Sequence, residues 1–188
     1  MCETLCGLNY KIIGTENIPS EKGVVFIKHS SVYELFVGLL LFSPSSWVAK
    51  QELMYLPLFR NAIKVFNFIP VKRGFGRSQV TRVIREGTER LSEGKWIVIF
   101  PEGTRVVHGM TKKYGISGAL LAVGTKSDIT PIAHNAGKYW GRRALLKKKG
   151  TIVFSVGNKI STVGKTYDEV NQEAKAWIDG EVKRLDGL

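Results

Sequence analysis

Disulfides cannot hold this chain together. Its two cysteines, Cys2 and Cys6, lie side by side near the start and have no distant partners to join. That excludes a disulfide-built secreted domain and fits a reducing compartment. Their spacing, without a nearby histidine or further cysteine, is not a zinc pattern, and no other carboxylate or His/Cys cluster has ligand spacing. Long apolar runs are also missing. The longest, Leu35 to Phe42, is interrupted by Gly38 and falls far short of the roughly 20 residues needed to span a bilayer. Lys11 is the only early basic residue and no apolar leader segment follows it, so no signal peptide is expected. Repeats, linkers and low-complexity tracts are absent. Acid is scarce as well: 16 Asp and Glu face 28 Lys and Arg, a formal net charge of +12. Such an excess calls for an anionic partner: nucleic acid, a phosphorylated metabolite or an acidic membrane surface. A basic nucleic-acid-binding protein is the rival from a different class. No zinc-finger, KH or RRM-type signature supports it, and no nucleic-acid partner is expected.

With 188 residues, 44% of them hydrophobic, the chain has enough material for one compact core. Short β-rich runs alternate with helical patterns. Residues 23–27 (GVVFI), 64–71 (KVFNFIPV), 96–100 (WIVIF), 129–133 (ITPIA) and 151–156 (TIVFSV) read as strands, mostly buried. Between them, residues 78–92 set Val80, Val83, Ile84, Gly87 and Leu91 on one helical face. Residues 116–123 read as a second, more apolar helix. A capping box, Thr166 to Glu169, opens a C-terminal helix carrying Val170, Ala174, Trp177, Ile178, Val182 and Leu185 at helical spacing. The expectation is a single α/β domain over residues 1–188, with a central, mostly parallel or mixed sheet flanked by helices.

Every chemically suggestive cluster falls where a strand ends. The 23–27 run leads into Lys28, His29, Ser30 and Ser31, with Glu34 five residues after the histidine. The 64–71 run leads into Lys72, Arg73 and Gly74. Pro101-Glu102-Gly103-Thr104-Arg105 follows residues 96–100, and His134-Asn135-Ala136-Gly137 follows 129–133. Ligands of open α/β sheets gather at carboxyl ends of strands, where glycine allows close backbone approach and arginine offers donors matched to phosphate. A turn or a solvated loop accounts for each cluster alone, but not for all four together.

In these four blocks, and in their order, the chain resembles the glycerolipid acyltransferases, typified by bacterial 1-acyl-glycerol-3-phosphate acyltransferase. The blocks are His29 to Glu34, Phe68 to Gly74, Phe100 to Arg105, and residues 129–137 with Pro131 at the family's proline position. The third, FPEGTR, is the most specific. The resemblance runs from Gly14 to the C-terminal helix. It implies an enzyme moving a fatty acyl group from acyl-CoA or acyl-carrier protein to the sn-2 hydroxyl of lysophosphatidate, giving phosphatidate, with no cofactor and no metal. Glycerol-3-phosphate, a lyso-ornithine lipid or another lysophospholipid is the alternative acceptor, and an inactive lipid-binding relative the further rival. It also implies peripheral attachment to the cytoplasmic face of the inner membrane. Many members carry an N-terminal helical anchor. This chain begins almost directly at the shared domain, which leaves two readings: a fragment lacking the anchor, or a member bound through its surface alone. The family's commonest acid in the first block is Asp, and Glu34 brings an extra methylene that the turn must absorb.

An alcohol is a weak nucleophile, so the reaction needs a general base, and histidine suits that task. A carboxylate behind the ring fixes its tautomer, as in the Ser-His-Asp triad, with the substrate hydroxyl in place of serine. Five residues along a regular helix separate two side chains by about 140°. His29 must therefore sit in the turn before a helix, with Ser30 or Ser31 near its cap. His108, in a loop-like segment, is read as a surface residue. His134 could line the pocket, but the family does not use its block for the base. Phosphate recognition is assigned to Arg73 and Arg105, with Lys72 and Lys50 as further candidates. Glu102, Gly103 and Thr104 are expected to shape the acceptor pocket, Glu102 by contacting a glycerol hydroxyl or bracing an arginine. The apolar runs 35–42 and 53–59 could cover the acyl chain or touch lipid, and core packing explains them equally well. Arg142, Arg143 and Lys147 to Lys149, close to Tyr139 and Trp140, are the expected membrane-docking patch.

Overall fold

In the computed structural model, which describes residues 7–55, 66–72, 76–142 and 144–187, the apolar runs assemble into one seven-stranded sheet. Its strands are β1 (Leu8–Ile13), β2 (Val24–Ile27), β3 (Ser45–Lys50), β4 (Ile69–Val71), β5 (Trp96–Ile99), β6 (Ile129–His134) and β7 (Gly150–Val156). Their order across the sheet is β1-β7-β6-β2-β5-β3-β4. β6, β2, β5, β3 and β4 run parallel to one another, while β7 lies antiparallel to β6 and carries β1 with it. The expected mixed α/β sheet is therefore present. Five strand ends point to the same edge, and every block of the sequence pattern hangs from that edge.

Helices cover both faces. On one side α2 (Gly76–Ser92), α3 (Ser117–Thr125) and α5 (Tyr167–Asp186) bury Val83, Leu121, Val170, Ala174, Ile178 and Leu185 against Val24, Phe26, Ile97 and Ile99. On the other, α1 (Tyr33–Leu41) and the short α4 (Ala136–Tyr139) lie over Val25, Ile27, Trp47, Val98 and Phe154. Two glycines set the approach distances. A Cβ on Gly87 would lie 2.5 Å from Leu121, and one on Gly38 would collide with the Trp47 ring. A larger residue would push α2 off α3, or α1 off the sheet. The capping box at α5 forms as expected: the Thr166 side chain accepts from the Glu169 N–H, and the Glu169 carboxylate accepts from the Thr166 N–H.

One expected strand is shorter than its pattern. In the 64–71 run only Ile69–Val71 pairs with β3. Asn67 takes a left-handed φ of 43° just before it, which breaks the extended chain. Lys64 and Val65 lie outside the described residues, as do Cys2, Cys6, residues 56–59, Arg73, Gly74 and Arg143. Among the described residues, no helix is long and apolar enough to cross a membrane.

Candidate active site

The site starts from the way β2 ends. Its last ladder bond runs from the Lys28 N–H to Ile132 O at 3.0 Å. The chain then leaves the sheet at His29 and turns through Ser30 and Ser31 into α1. Ser31 Oγ accepts the Tyr33 N–H at 3.2 Å, so a serine serves the helix start as expected. Because His29 precedes the helix, the angular separation of positions five apart does not apply. Its Nδ1 meets Glu34 Oε1 at 2.5 Å. The same carboxylate accepts the Ser31 N–H at 2.7 Å and the Ser30 N–H at 3.4 Å, both on Oε2. The extra methylene of glutamate is taken up inside this loop. Burial pushes the Glu34 carboxyl upward, but the hydrogen bonds from His134 and then His29 outweigh it and hold the group below the usual carboxylate range.

The turn after β5 is laced to the same histidine. Gly103, at φ 65°, donates to Phe100 O at 2.9 Å and closes a turn with Pro101 and Glu102 at its centre. The turn is then tied down on both sides of His29. Glu102 Oε2 accepts the His29 N–H at 2.7 Å, and the Val106 N–H donates to His29 O at 2.7 Å. Phe100 stacks on the imidazole with ring centroids 4.0 Å apart. The other oxygen of Glu102 meets Lys28 Nζ at 2.5 Å, and that ammonium also donates to Met110 O at 3.2 Å. Glu102 therefore braces a cation, as one expectation held, but the cation is Lys28 and not an arginine. Both of its oxygens are engaged by protein donors.

The remaining sequence candidates gather along the same edge. Thr104 and Arg105 are half-buried in the turn beside His29, and Gly103 is exposed. Lys50 ends β3, half-buried; because Trp47 pairs with Val98, it reaches the level of that turn. Val71 pairs with Lys50, so the exposed Lys72 follows immediately, its N–H donating to Gln79 Oε1 at 2.9 Å. Arg73 lies outside the described residues. His108, read as a surface residue, is half-buried with Nε2 3.0 Å from Asp186 Oδ1 on α5.

Two participants were missed. Lys28 is 3% exposed, and strand periodicity could have found it: alternation puts it on the same buried face as Val24 and Phe26, where a lysine needs a partner. His134 was weighed as a base, yet it is buried and both its nitrogens are used by the protein. Nε2 lies 2.7 Å from Lys28 O and 3.1 Å from Glu34 Oε2, and Nδ1 accepts the Ala136 N–H at 3.2 Å. No local signal reveals this, because the contact joins blocks a hundred residues apart.

A family model described as Acyltransferase matches residues 9–135. The chain belongs to the acyltransferase family. The 1-acyl-sn-glycerol-3-phosphate acyltransferase of Pseudomonas aeruginosa is 36% identical over 181 residues, covering 95% of this chain and 70% of that protein. The Bacillus subtilis protein of the same name is 30% identical, covering 80% of this chain and 73% of its own. The crystal structure of the 1-acyl-sn-glycerophosphate (LPA) acyltransferase PlsC from Thermotoga maritima superposes with a TM-score of 0.83. It is 21% identical and covers 98% of this chain and 75% of that one, a likeness of fold.

In this acyltransferase the ionised Glu34 accepts the Nδ1 proton of His29, which leaves the lone pair on Nε2. That is the tautomer a general base requires. The ring keeps 17% side-chain exposure, enough to meet a substrate, whereas Glu34 has none. Among the described residues, no group of three or more His, Cys, Asp or Glu is arranged to hold a metal ion.

Proposed function

We propose that this acyltransferase moves a fatty acyl group from an acyl thioester, acyl-CoA or acyl-carrier protein, to the sn-2 hydroxyl of 1-acyl-glycerol-3-phosphate, giving phosphatidate. The observation that carries the reading is the His29–Glu34 pair at 2.5 Å, bound to the FPEGTR turn within an acyltransferase chain. His29 Nε2 takes the hydroxyl proton as the oxygen attacks the thioester carbonyl. The new C–O bond forms, the C–S bond breaks when the tetrahedral intermediate collapses, and the imidazolium returns the proton to the leaving thiolate. Glu34 holds the ring and balances its transient charge. Arg105 and Arg73, with Lys50 and Lys72, take the acceptor phosphate by charge-assisted hydrogen bonds. Gly103 and Thr104 shape the acceptor side, while Glu102 acts by holding the turn. Every step uses side chains alone, so the reaction proposed here needs no cofactor.

The acceptor is a lipid, and we place the enzyme peripherally on the anionic cytoplasmic face of the inner membrane. A continuous set of rings and cations supports this. Tyr33 of α1 meets both Phe36 and Trp140, and Lys147 Nζ lies 4.8 Å from the Trp140 ring centre. Phe36 and Leu40 of α1 are exposed, and so are Leu145 and Leu146, which lead in sequence into Lys147, Lys148 and Lys149. Aromatic and apolar side chains at headgroup depth, with lysines against anionic lipid, form an interfacial contact. The deciding assay follows thiol release from acyl-CoA with purified protein and a panel of acceptors: 1-acyl-glycerol-3-phosphate, glycerol-3-phosphate and a lyso-ornithine lipid. Turnover should be fastest with the first. Equal or faster turnover with another acceptor reassigns the substrate, and no turnover with any would make the protein a lipid binder.

A further inference from the structure

His134 closes β6 in a position where the reaction does not need a second histidine. The residue is 1% exposed and its ring packs on Phe154, with centroids 4.8 Å apart. The hydrogen bonds determine its state. Nδ1 accepts the Ala136 N–H at 3.2 Å, so the proton resides on Nε2 and the ring is neutral. That single N–H faces two acceptors, Lys28 O at 2.7 Å and Glu34 Oε2 at 3.1 Å. The first is the strand-end carbonyl immediately before His29, one step beyond the last backbone bond between β2 and β6. The second is the oxygen of Glu34 that does not touch His29.

This arrangement divides the carboxylate into two halves. Oε2 receives Ser31 N–H, Ser30 N–H and the His134 ring, and Oε1 is left to His29. A buried carboxylate needs several donors, and a glutamate has one more torsion to fix than an aspartate. Two backbone donors of the turn hold Oε2 from one side. His134, arriving from a different strand, holds it from the other and also fixes the carbonyl that aims His29.

We propose that His134 is a positioning residue for acyl transfer: it fixes Glu34 and the end of β2 so that Oε1 meets His29 Nδ1, and it never touches substrate. The inference rests on the reading of His29 as the general base. Burial raises the Glu34 carboxyl, and the His134 hydrogen bond is the foremost influence bringing it back down, which fits a group that keeps the carboxylate charged.

Two half-ring substitutions separate the functions of the two nitrogens. The His134→Gln amide reaches the level of Nε2 and can still donate to Glu34. The His134→Asn amide stops at the level of Nδ1, so it can keep the Ala136 contact but loses the Glu34 one. With the purified chain, 1-acyl-glycerol-3-phosphate and acyl-CoA, His134→Asn should lose about 10–100-fold in kcat. Both KM values should stay within about twofold, because no substrate contact is removed. His134→Gln should recover most of that loss. Equal kcat in the two variants, whether both high or both low, overturns the proposal, as does a loss confined to KM. A measurement on the unmodified protein covers the case in which neither variant folds. Side-chain ¹⁵N spectra should show His134 as the neutral Nε2–H form, and either an Nδ1–H form or an imidazolium at neutral pH overturns it. His29→Ala run in parallel keeps the two readings apart: wild-type turnover in that variant would sink the base assignment itself, whatever His134 does.

Discussion

Replacing Lys28 with methionine should cost more stability than any change at the reacting groups, although Lys28 takes no part in the chemistry. The Lys28 side chain is 4% exposed and its partner Glu102 is 0% exposed, with 2.5 Å between Nζ and Oε1. At that burial a pair is worth little relative to a well-packed apolar substitute, because desolvating both ions offsets their attraction. Removing one partner is different. In Lys28→Met the Glu102 carboxylate keeps, among the described residues, the His29 N–H as its donor, and an uncompensated buried charge costs about 3–5 kcal/mol. For a chain of this size that is a melting shift of about 6–20 °C. The double variant Lys28→Met/Glu102→Gln removes both charges and keeps an amide oxygen for His29, so it should be more stable than either single variant, with a coupling of about 2–3 kcal/mol. Urea unfolding of the four proteins, followed by far-ultraviolet circular dichroism, measures the cycle. Additive single-variant losses, or a Lys28→Met protein within about 1 kcal/mol of wild type, would refute the claim that this pair ties the strand end to the turn.

Four other outcomes follow from the same geometry. His29→Ala should lower kcat/KM by about 10²–10⁴-fold with the fold intact; Glu34→Gln should be severe and Glu34→Asp measurably active, all by thiol-release kinetics. Arg105→Ala and Arg73→Ala should each raise the acceptor KM far more than the donor KM, with Arg→Lys restoring only part; equal effects on both substrates would point to a structural role or a donor contact. Because the folded Glu34 carboxyl sits below its usual range, its charge contributes stability in full above that range and loses it as pH falls through the lower folded value. Glu34→Gln should therefore flatten the loss of urea stability from about pH 5 downward, and an unchanged acid slope would deny that folding lowers the Glu34 carboxyl below its usual range. Sedimentation with anionic vesicles should weaken as salt rises and weaken further when Lys147, Lys148 and Lys149 become Gln; binding indifferent to both would eliminate that surface as the docking face.

How legible the fold was depended on what each element buries. β5 and β2 could be read directly because all of their residues are buried, so each is a continuous apolar run. α2 and α5 could be read because only one face is buried, which imposes the helical period. β3 could not, because it opens with Ser45 and Ser46. Both are buried, and Ser45 Oγ accepts the Trp47 Nε1–H at 2.9 Å, so polar residues occupy the interior where the pattern expects apolar ones. β1 escaped for the opposite reason: it pairs only with β7 at the sheet margin, exposes three of its six residues and shows no alternation.

The site divides along the same line. What lies within one loop, His29 to Glu34, or within one turn, Phe100 to Arg105, has a spacing that chemistry constrains, and spacing is visible in a sequence. What joins loops does not. Glu102 reaches back 73 residues to the His29 N–H and 74 to Lys28 Nζ, and His134 reaches back 106 to Lys28 O. All of these contacts exist because β2 lies between β5 and β6, and strand order is set by how the helices cross the sheet. One piece of that network was still within reach. A lysine in phase with Val24 and Phe26 must be buried, a buried ammonium must find a carboxylate, and Glu102 stands at the end of the neighbouring strand. The pairing of Lys28 with Glu102 is thus one physical link between the histidine block and the FPEGTR block, beside the bonds of Glu102 and Val106 to the His29 backbone. Together they hold two segments far apart in sequence at one separation, with His29 between them.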